Sequence, residues 1–220
     1  MLFIVATPIG NLKDITLRAI DTLREADLIL AEDTRRTGIL LREYMIKDKQ
    51  ILSYNDTNKT RRTKQAIELL KQGKDIALVS DSGTPGISDP GFFLVREAVK
   101  HNIQISPIPG PSAPIAALVC SGLPTDKFGF FGFLPKKESK KRDVFEWISK
   151  TENLTFIYYE SPHRIIKTLE LMDEIIPDKK IVIARELTKK FEEFIRGTVK
   201  GVYNAVKNKK IKGEIVLIIN

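Results

Sequence analysis

The chain has 220 residues, enough for one large or two small domains. Hydrophobic residues make up 42% of it, and no apolar run approaches the ~20 residues of a membrane helix. One cysteine, Cys120, excludes an intramolecular disulfide, and two histidines beside it are too few for a usual zinc cluster, so no metal centre is expected. Lysine and arginine outnumber aspartate and glutamate 36 to 28, a net charge of +8, which favours a polyanionic partner.

Met1-Leu2-Phe3-Ile4-Val5-Ala6 runs directly into Thr7-Pro8-Ile9-Gly10 with no basic segment before it. It reads as a first strand and not a signal peptide, which with the lone cysteine points to a reducing cytoplasm. Strand-like runs then follow at Leu28–Ala31, Gln50–Ser53, Asp75–Val79 and Ile103–Ser106. Helix-like runs separate them at Thr16–Glu25, Thr37–Tyr44, Thr60–Gln72 and Phe92–Lys100. This alternation predicts a mostly parallel sheet with helices on both faces.

Pro107-Ile108-Pro109-Gly110-Pro111 is a stiff break, and the domain boundary is expected there, giving domains 1–111 and 112–220. Beyond a short helix at Ser112–Ser121, strands are expected at Lys127–Leu134, Thr155–Tyr159, Lys180–Arg185, Glu192–Gly197 and Glu214–Ile219. Helices are expected at Ser139–Lys150, Pro162–Ile176 and Thr198–Lys207. The short link between 180–185 and 192–197 predicts an antiparallel pair, hence a mixed second sheet.

In a parallel sheet the loops that follow the strands share one edge, where ligands bind. The richest is Ser80-Asp81-Ser82-Gly83-Thr84-Pro85-Gly86-Ile87-Ser88-Asp89-Pro90-Gly91, with three glycines, two prolines and two aspartates. Glycine permits close backbone approach to a ligand, and proline limits the shapes the loop can take. Asp81 and Asp89 are expected to brace this loop and not to act chemically. Neither a G-x-G-x-x-G nor a P-loop motif occurs, so a dinucleotide site of the Rossmann type and a P-loop kinase are disfavoured. Such loops suit a ligand held by main-chain groups, such as an adenosine bearing an amino-acid tail.

Three further clusters carry charge. Glu32-Asp33-Thr34-Arg35 follows a strand; Glu160-Ser161-Pro162-His163-Arg164 opens a helix, with Ser161 as its expected N-cap; and Arg185-Glu186-Leu187-Thr188-Lys189 joins two strands. The last cluster reads either as a salt-bridged turn or as a phosphate-facing loop.

Taken in order, these segments, with Thr7-Pro8-Ile9-Gly10-Asn11-Leu12 and Pro109-Gly110-Pro111-Ser112-Ala113, resemble the ribosomal RNA small subunit methyltransferase I family of the tetrapyrrole-methylase superfamily. The resemblance covers nearly the whole chain. It implies two α/β domains with the cofactor cleft between them, S-adenosylmethionine as methyl donor, and 2′-O-methylation of a cytidine in 16S ribosomal RNA. It also implies a homodimer.

Carried over by motif, the cofactor-binding residues would be Pro8, Gly10, Gly83, Thr84, Ile87, Ser112, Ala113, Tyr159, Glu160, Gly213, Glu214 and Ile215. Arg35, Arg164, Arg185 and Lys189 would face RNA. Many family members continue past the last strand into a small helical domain. This sequence stops at Asn220, so its basic clusters, among them Lys136-Lys137, Lys140-Lys141-Arg142, Lys179-Lys180 and Lys207 to Lys212, are expected to carry RNA contacts that such an extension makes.

The expected reaction is in-line displacement on a sulfonium methyl, needing no metal. A hydroxyl is a poor nucleophile, so a base should assist; Glu160, His163, Asp33 and Lys189 are the candidates. Two rival readings are C-methylation of a tetrapyrrole and a non-catalytic RNA-binding module.

Overall fold

The computed structural model describes residues 1–220. They form two compact units, Met1–Ser112 and Ala113–Asn220. In the first, β1 (Leu2–Val5), β2 (Leu28–Ala31), β3 (Ile51–Ser53), β4 (Ile76–Val79) and β5 (Ile105–Ile108) make a wholly parallel sheet in the order β3-β2-β4-β1-β5. The intervening helices are α1 (Leu17–Glu25), α2 (Thr34–Glu43), α3 (Lys59–Lys71) and α4 (Gly91–Lys100). β2 and β4 are buried along their whole length, as a strand covered on both faces must be. The core lies in two layers: Leu23, Ala19 and Leu40 pack on one face, Ile67, Leu70 and Leu94 on the other.

In this unit two elements, α2 and β5, depart from expectation by two residues or more. Helix α2 starts at Thr34, three residues early, because the Asp33 side chain caps it by accepting the Arg35 N–H at 2.8 Å. Strand β5 starts two residues late and runs through Pro107. It tolerates that proline because it is an edge strand, whose outer side needs no donor.

The second unit carries α5 (Ala113–Val119), β6 (Phe128–Phe133), α6 (Glu138–Lys150), β7 (Thr155–Glu160), α7 (Ile165–Ile175), β8 (Lys180–Arg185), β9 (Glu193–Thr198), α8 (Val199–Val206) and β10 (Ile215–Ile219). Its sheet has the order β6-β7-β10-β8-β9. β6 and β7 are parallel; every other neighbour is antiparallel, including the predicted β8–β9 pair, so the sheet is mixed. Phe145 and Ile148 of α6, Leu169 and Met172 of α7, and Val199 and Val202 of α8 pack against Phe156, Tyr158, Ile183 and Leu217.

The expected cap at Ser161 is corrected. Ser161 Oγ accepts the His163 N–H at 3.3 Å and its carbonyl accepts from Arg164, which makes a turn; α7 begins three residues after Pro162, at Ile165.

Candidate functional site

Parallel strands put four loops of the first unit on one edge, and the 80–91 loop laces them together. Thr7 and Gly83 exchange both backbone hydrogen bonds, at 2.9 and 3.0 Å, joining the loops after β1 and β4. Thr7 Oγ1 donates to the Ser80 carbonyl at 3.1 Å, and Thr84 Oγ1 donates to the Pro111 carbonyl at 3.3 Å, which brings in the loop after β5. The Asp33 N–H donates to Asp81 Oδ1 at 2.9 Å and the Asp81 N–H to Glu32 Oε2 at 3.4 Å, which brings in the loop after β2. Arg36 lies 3.6 Å from Asp81.

Glycine is required twice here. Gly83 has φ +83° and is buried, so the backbone turns where a side chain would be strained. At Gly91 a Cβ would lie 2.8 Å from the Gly86 nitrogen and 2.9 Å from Asp89 Oδ1. That crowding reflects Asp89, whose Oδ1 accepts the N–H groups of Gly86 and Gly91 at 2.7 and 2.8 Å. Both aspartates of the loop therefore act as braces, as expected.

The Glu32-Asp33 pair divides by environment. Hydrogen bonds from the Arg35 side chain and backbone hold Asp33 far below the usual carboxylate range. A base that weak takes a proton poorly near neutral pH. Burial pushes Glu32 up, and the nearby Asp81 and Asp89 charges add to it. Its Oε1 makes no hydrogen bond. Sequence reasoning passed over Glu32 because it chose between two adjacent carboxylates without knowing which one capped the helix.

In the second unit, three motifs meet at one end of the sheet. Register pairs Ile215 with both Glu160 and Arg185, so Gly213-Glu214 begins beside the ends of β7 and β8. Glu160 is fully buried, and both of its oxygens are engaged by partners. Oε1 accepts from the Ser161 N–H at 2.6 Å and forms an ion pair with the Arg164 guanidinium at 2.5 Å. Oε2 accepts from Thr168 Oγ1 at 2.8 Å and faces Lys141 Nζ at 3.6 Å. Lys141 is itself buried and donates to Thr168 at 2.6 Å. Burial pulls this ammonium down, and the Glu160 charge opposes that pull.

The 185–189 turn is salt-bridged. Lys189 reaches Glu186 at 3.0 Å and Glu214 at 2.9 Å, and Arg185 reaches Glu193 at 3.0 Å and the Lys212 carbonyl at 3.0 Å. Burial pulls Lys189 down, but those two carboxylates outweigh it and raise it, so it stays protonated near neutral pH. Glu186 and Glu214 also exchange backbone contact through the Glu186 N–H and the Glu214 carbonyl at 3.0 Å. A side chain at Gly213, whose φ is +89°, would strike Glu186. His163 is exposed and its ring makes no hydrogen bond.

Pro8, Gly10, Gly83, Thr84, Ile87 and Ser112 thus lie on the laced edge of the first unit, with Arg35 exposed beside it. Tyr159, Glu160, Gly213, Glu214 and Ile215 lie at one sheet end of the second, with Arg164, Arg185 and Lys189; Ala113 is the first residue of α5, a helix that packs against β7 and β10.

The model of the Tetrapyrrole (Corrin/Porphyrin) Methylases matches residues 1–202. A protein of Thermotoga maritima named ribosomal RNA small subunit methyltransferase I is 49% identical over 219 residues, covering all of this chain and 97% of that one. The chain belongs to the ribosomal RNA small subunit methyltransferase I family. A second member of this methyltransferase family, from Halalkalibacterium halodurans, is also 49% identical and is covered over 75% of its length. The fold matches that of a cobalt precorrin-4 methyltransferase, with a TM-score of 0.71 at 18% identity, covering 100% of this chain and 94% of that one. The family assignment makes the chain a methyltransferase and therefore requires a methyl donor.

Proposed function

We propose that the chain transfers the methyl group of S-adenosylmethionine to the ribose 2′-hydroxyl of a cytidine in 16S ribosomal RNA. The observation that carries this reading is the match over the full chain to relatives of that name. The laced loop edge supports it: a buried glycine at φ +83° and loops fixed by backbone hydrogen bonds fit a ligand held through main-chain groups.

The first unit would contribute Pro8, Gly10, Gly83, Thr84, Ile87 and Ser112 to the donor, and the second Ala113, Tyr159, Glu160, Gly213, Glu214 and Ile215. When bound, the donor supplies a methyl carbon already activated by its sulfonium. The protein's task is then to orient the 2′-oxygen in line with that carbon, which is worth about 7–11 kcal/mol. The methyl–oxygen bond forms as the methyl–sulfur bond breaks, and the hydroxyl proton leaves to a base.

Of the four candidate bases, His163 keeps an open ring, and Glu32 joins it because Oε1 is unbonded and burial raises its carboxyl. Asp33 is too weak a base, Lys189 is protonated, and Glu160 is buried with its charge held by Arg164 and Lys141. All four cations proposed to face RNA are already paired, Arg35 with Asp33, Arg164 with Glu160, Arg185 with Glu193 and Lys189 with Glu214, so phosphate would have to exchange with a carboxylate at each; the exposed Arg35 is the most open to it. No helix is long and apolar enough to cross a membrane. A homodimer acting in the cytoplasm completes the reading.

The test is to incubate the protein with labelled S-adenosylmethionine and unmodified small ribosomal subunits and to map the labelled position. A ribose methyl on a cytidine is expected. Transfer to a porphyrin precursor with none to ribosomal RNA would overturn the proposal.

A further inference from the structure

The strand β6, Phe128-Gly129-Phe130-Phe131-Gly132-Phe133, is the exposed edge of the second sheet. Simple alternation would send Phe133 to the same face as Phe131. A bulge prevents this. Phe130 pairs with Ile157 but Phe133 with Tyr159, so three steps on β6 answer two on β7. Gly132, at φ +69°, takes up the extra residue. Phe130 and Phe133 consequently flank one ring, Tyr159, at centroid distances of 4.9 and 5.3 Å. Phe131 points the other way, onto Tyr158 and Trp147.

The result is an aromatic ladder that is not covered. Phe133 is 60% exposed, and Phe128, two residues before Phe130, is 43% exposed. Burying these rings would be favourable, so their exposure needs an occupant. Charge selects it. The segment from Lys127 to Lys137 contains three lysines and no acid, with Lys127 before the strand and Lys136 and Lys137 after it. None of the three forms a salt bridge. A second copy docked symmetrically on this edge would set like charges against each other. A single nucleic-acid strand instead brings phosphates for the lysines and flat bases for the rings.

We propose that the β6 edge is a stacking platform for single-stranded RNA, with Phe133 and Phe128 receiving bases and Lys127, Lys136 and Lys137 receiving phosphates. It rests on the proposed RNA substrate and extends it: the strand near the target nucleotide must be unpaired. The six residues of the strand span about 20 Å, long enough for a short run of bases. The bulge is the device that makes the platform, since without Gly132 the ladder loses Phe133.

The test uses the full chain and a labelled oligocytidine RNA, read by fluorescence anisotropy at several salt concentrations. Phe133→Ala and Phe128→Ala should each bind about tenfold more weakly, with the salt dependence of wild type retained. Lys136→Gln with Lys137→Gln should flatten that salt dependence. Trp147, the single tryptophan, contacts Phe131 on the opposite side, so unchanged tryptophan fluorescence shows that the strand is intact in each variant. Wild-type binding by both Phe variants overturns the platform. So does a loss confined to self-association, measured by sedimentation, which would make this edge an interface between copies. If wild type binds the oligonucleotide yet labels no ribosomal RNA, the proposed function fails and the platform stands.

Discussion

Glu32 and Asp81 hold each other's loops: Glu32 Oε2 accepts the Asp81 N–H at 3.4 Å, while Asp81 Oδ1 accepts the N–H of Asp33, the residue after Glu32, at 2.9 Å. The two strands that carry them, β2 and β4, are neighbours. This reciprocity is what makes the loops one rigid edge.

Asp81→Ala should therefore loosen both loops. The Asp33 N–H loses its acceptor and Arg36 loses its ion pair, at a cost of about 1–3 kcal/mol. Donor affinity, measured by calorimetry with S-adenosylmethionine, should fall more than thermal stability does. Asp81→Asn keeps an acceptor and should be milder.

Gly91→Ala should destabilise by about 1–3 kcal/mol, because the new methyl meets backbone at 2.8 Å and must displace it. Asp89→Ala should disturb the same turn by a different route, removing the acceptor of two N–H groups. Denaturant unfolding of both single variants and the double variant checks this. The double should cost less than the sum, since both changes act on one turn.

Glu160→Gln should be the most destabilising of these substitutions, by about 3–5 kcal/mol, because it leaves the buried Lys141 without its counter-charge. Lys141→Met should rescue part of the loss. Unfolding in urea reads both. Stability equal to wild type in Glu160→Gln would show that the cluster is not held by charge.

Acid should weaken the fold through its surface carboxylates. Asp33 is held low by Arg35, Asp27 by the Asp75 backbone and Lys74, Glu97 by Lys100, and Glu186 by Lys189. A carboxylate lowered on folding adds stability that is complete above its ordinary value, 3.8 for aspartate and 4.5 for glutamate, and is lost as pH falls through the folded value. The melting temperature should thus be flat at neutral pH and drop below about pH 4.5. The drop should be smaller at high salt, where these exposed pairs are screened.

His163→Ala and Glu32→Gln separate the two candidate bases. Loss of a base should lower the methyl-transfer rate by roughly 10²–10⁴-fold while donor binding stays. If neither changes the pH profile, the proton leaves to solvent.

Much of the fold was legible from local pattern. Leu28–Ala31 and Asp75–Val79 are uninterrupted apolar runs, and a strand covered on both faces has no alternative composition. The short link after Arg185 announced an antiparallel pair. The site was legible less evenly. The 80–91 loop stood out by its glycines and prolines, but Asp33 and Lys189 looked like acid–base groups until their partners were seen. Asp33 caps α2, and Lys189 is locked by Glu214, which is 25 residues away in sequence. A partner that distant leaves no local signature.

What the sequence determined by itself is the order of strands and helices, the edge on which the loops fall, and the family. These follow from periodicity and from residues fixed along the chain. Tertiary structure alone decided which groups hold each carboxylate, which cations are already paired, and that Phe133 turns to the face of Phe130. Each depends on a register or a contact across the sheet, and a shift of one residue at Gly132 reverses the face without changing the composition.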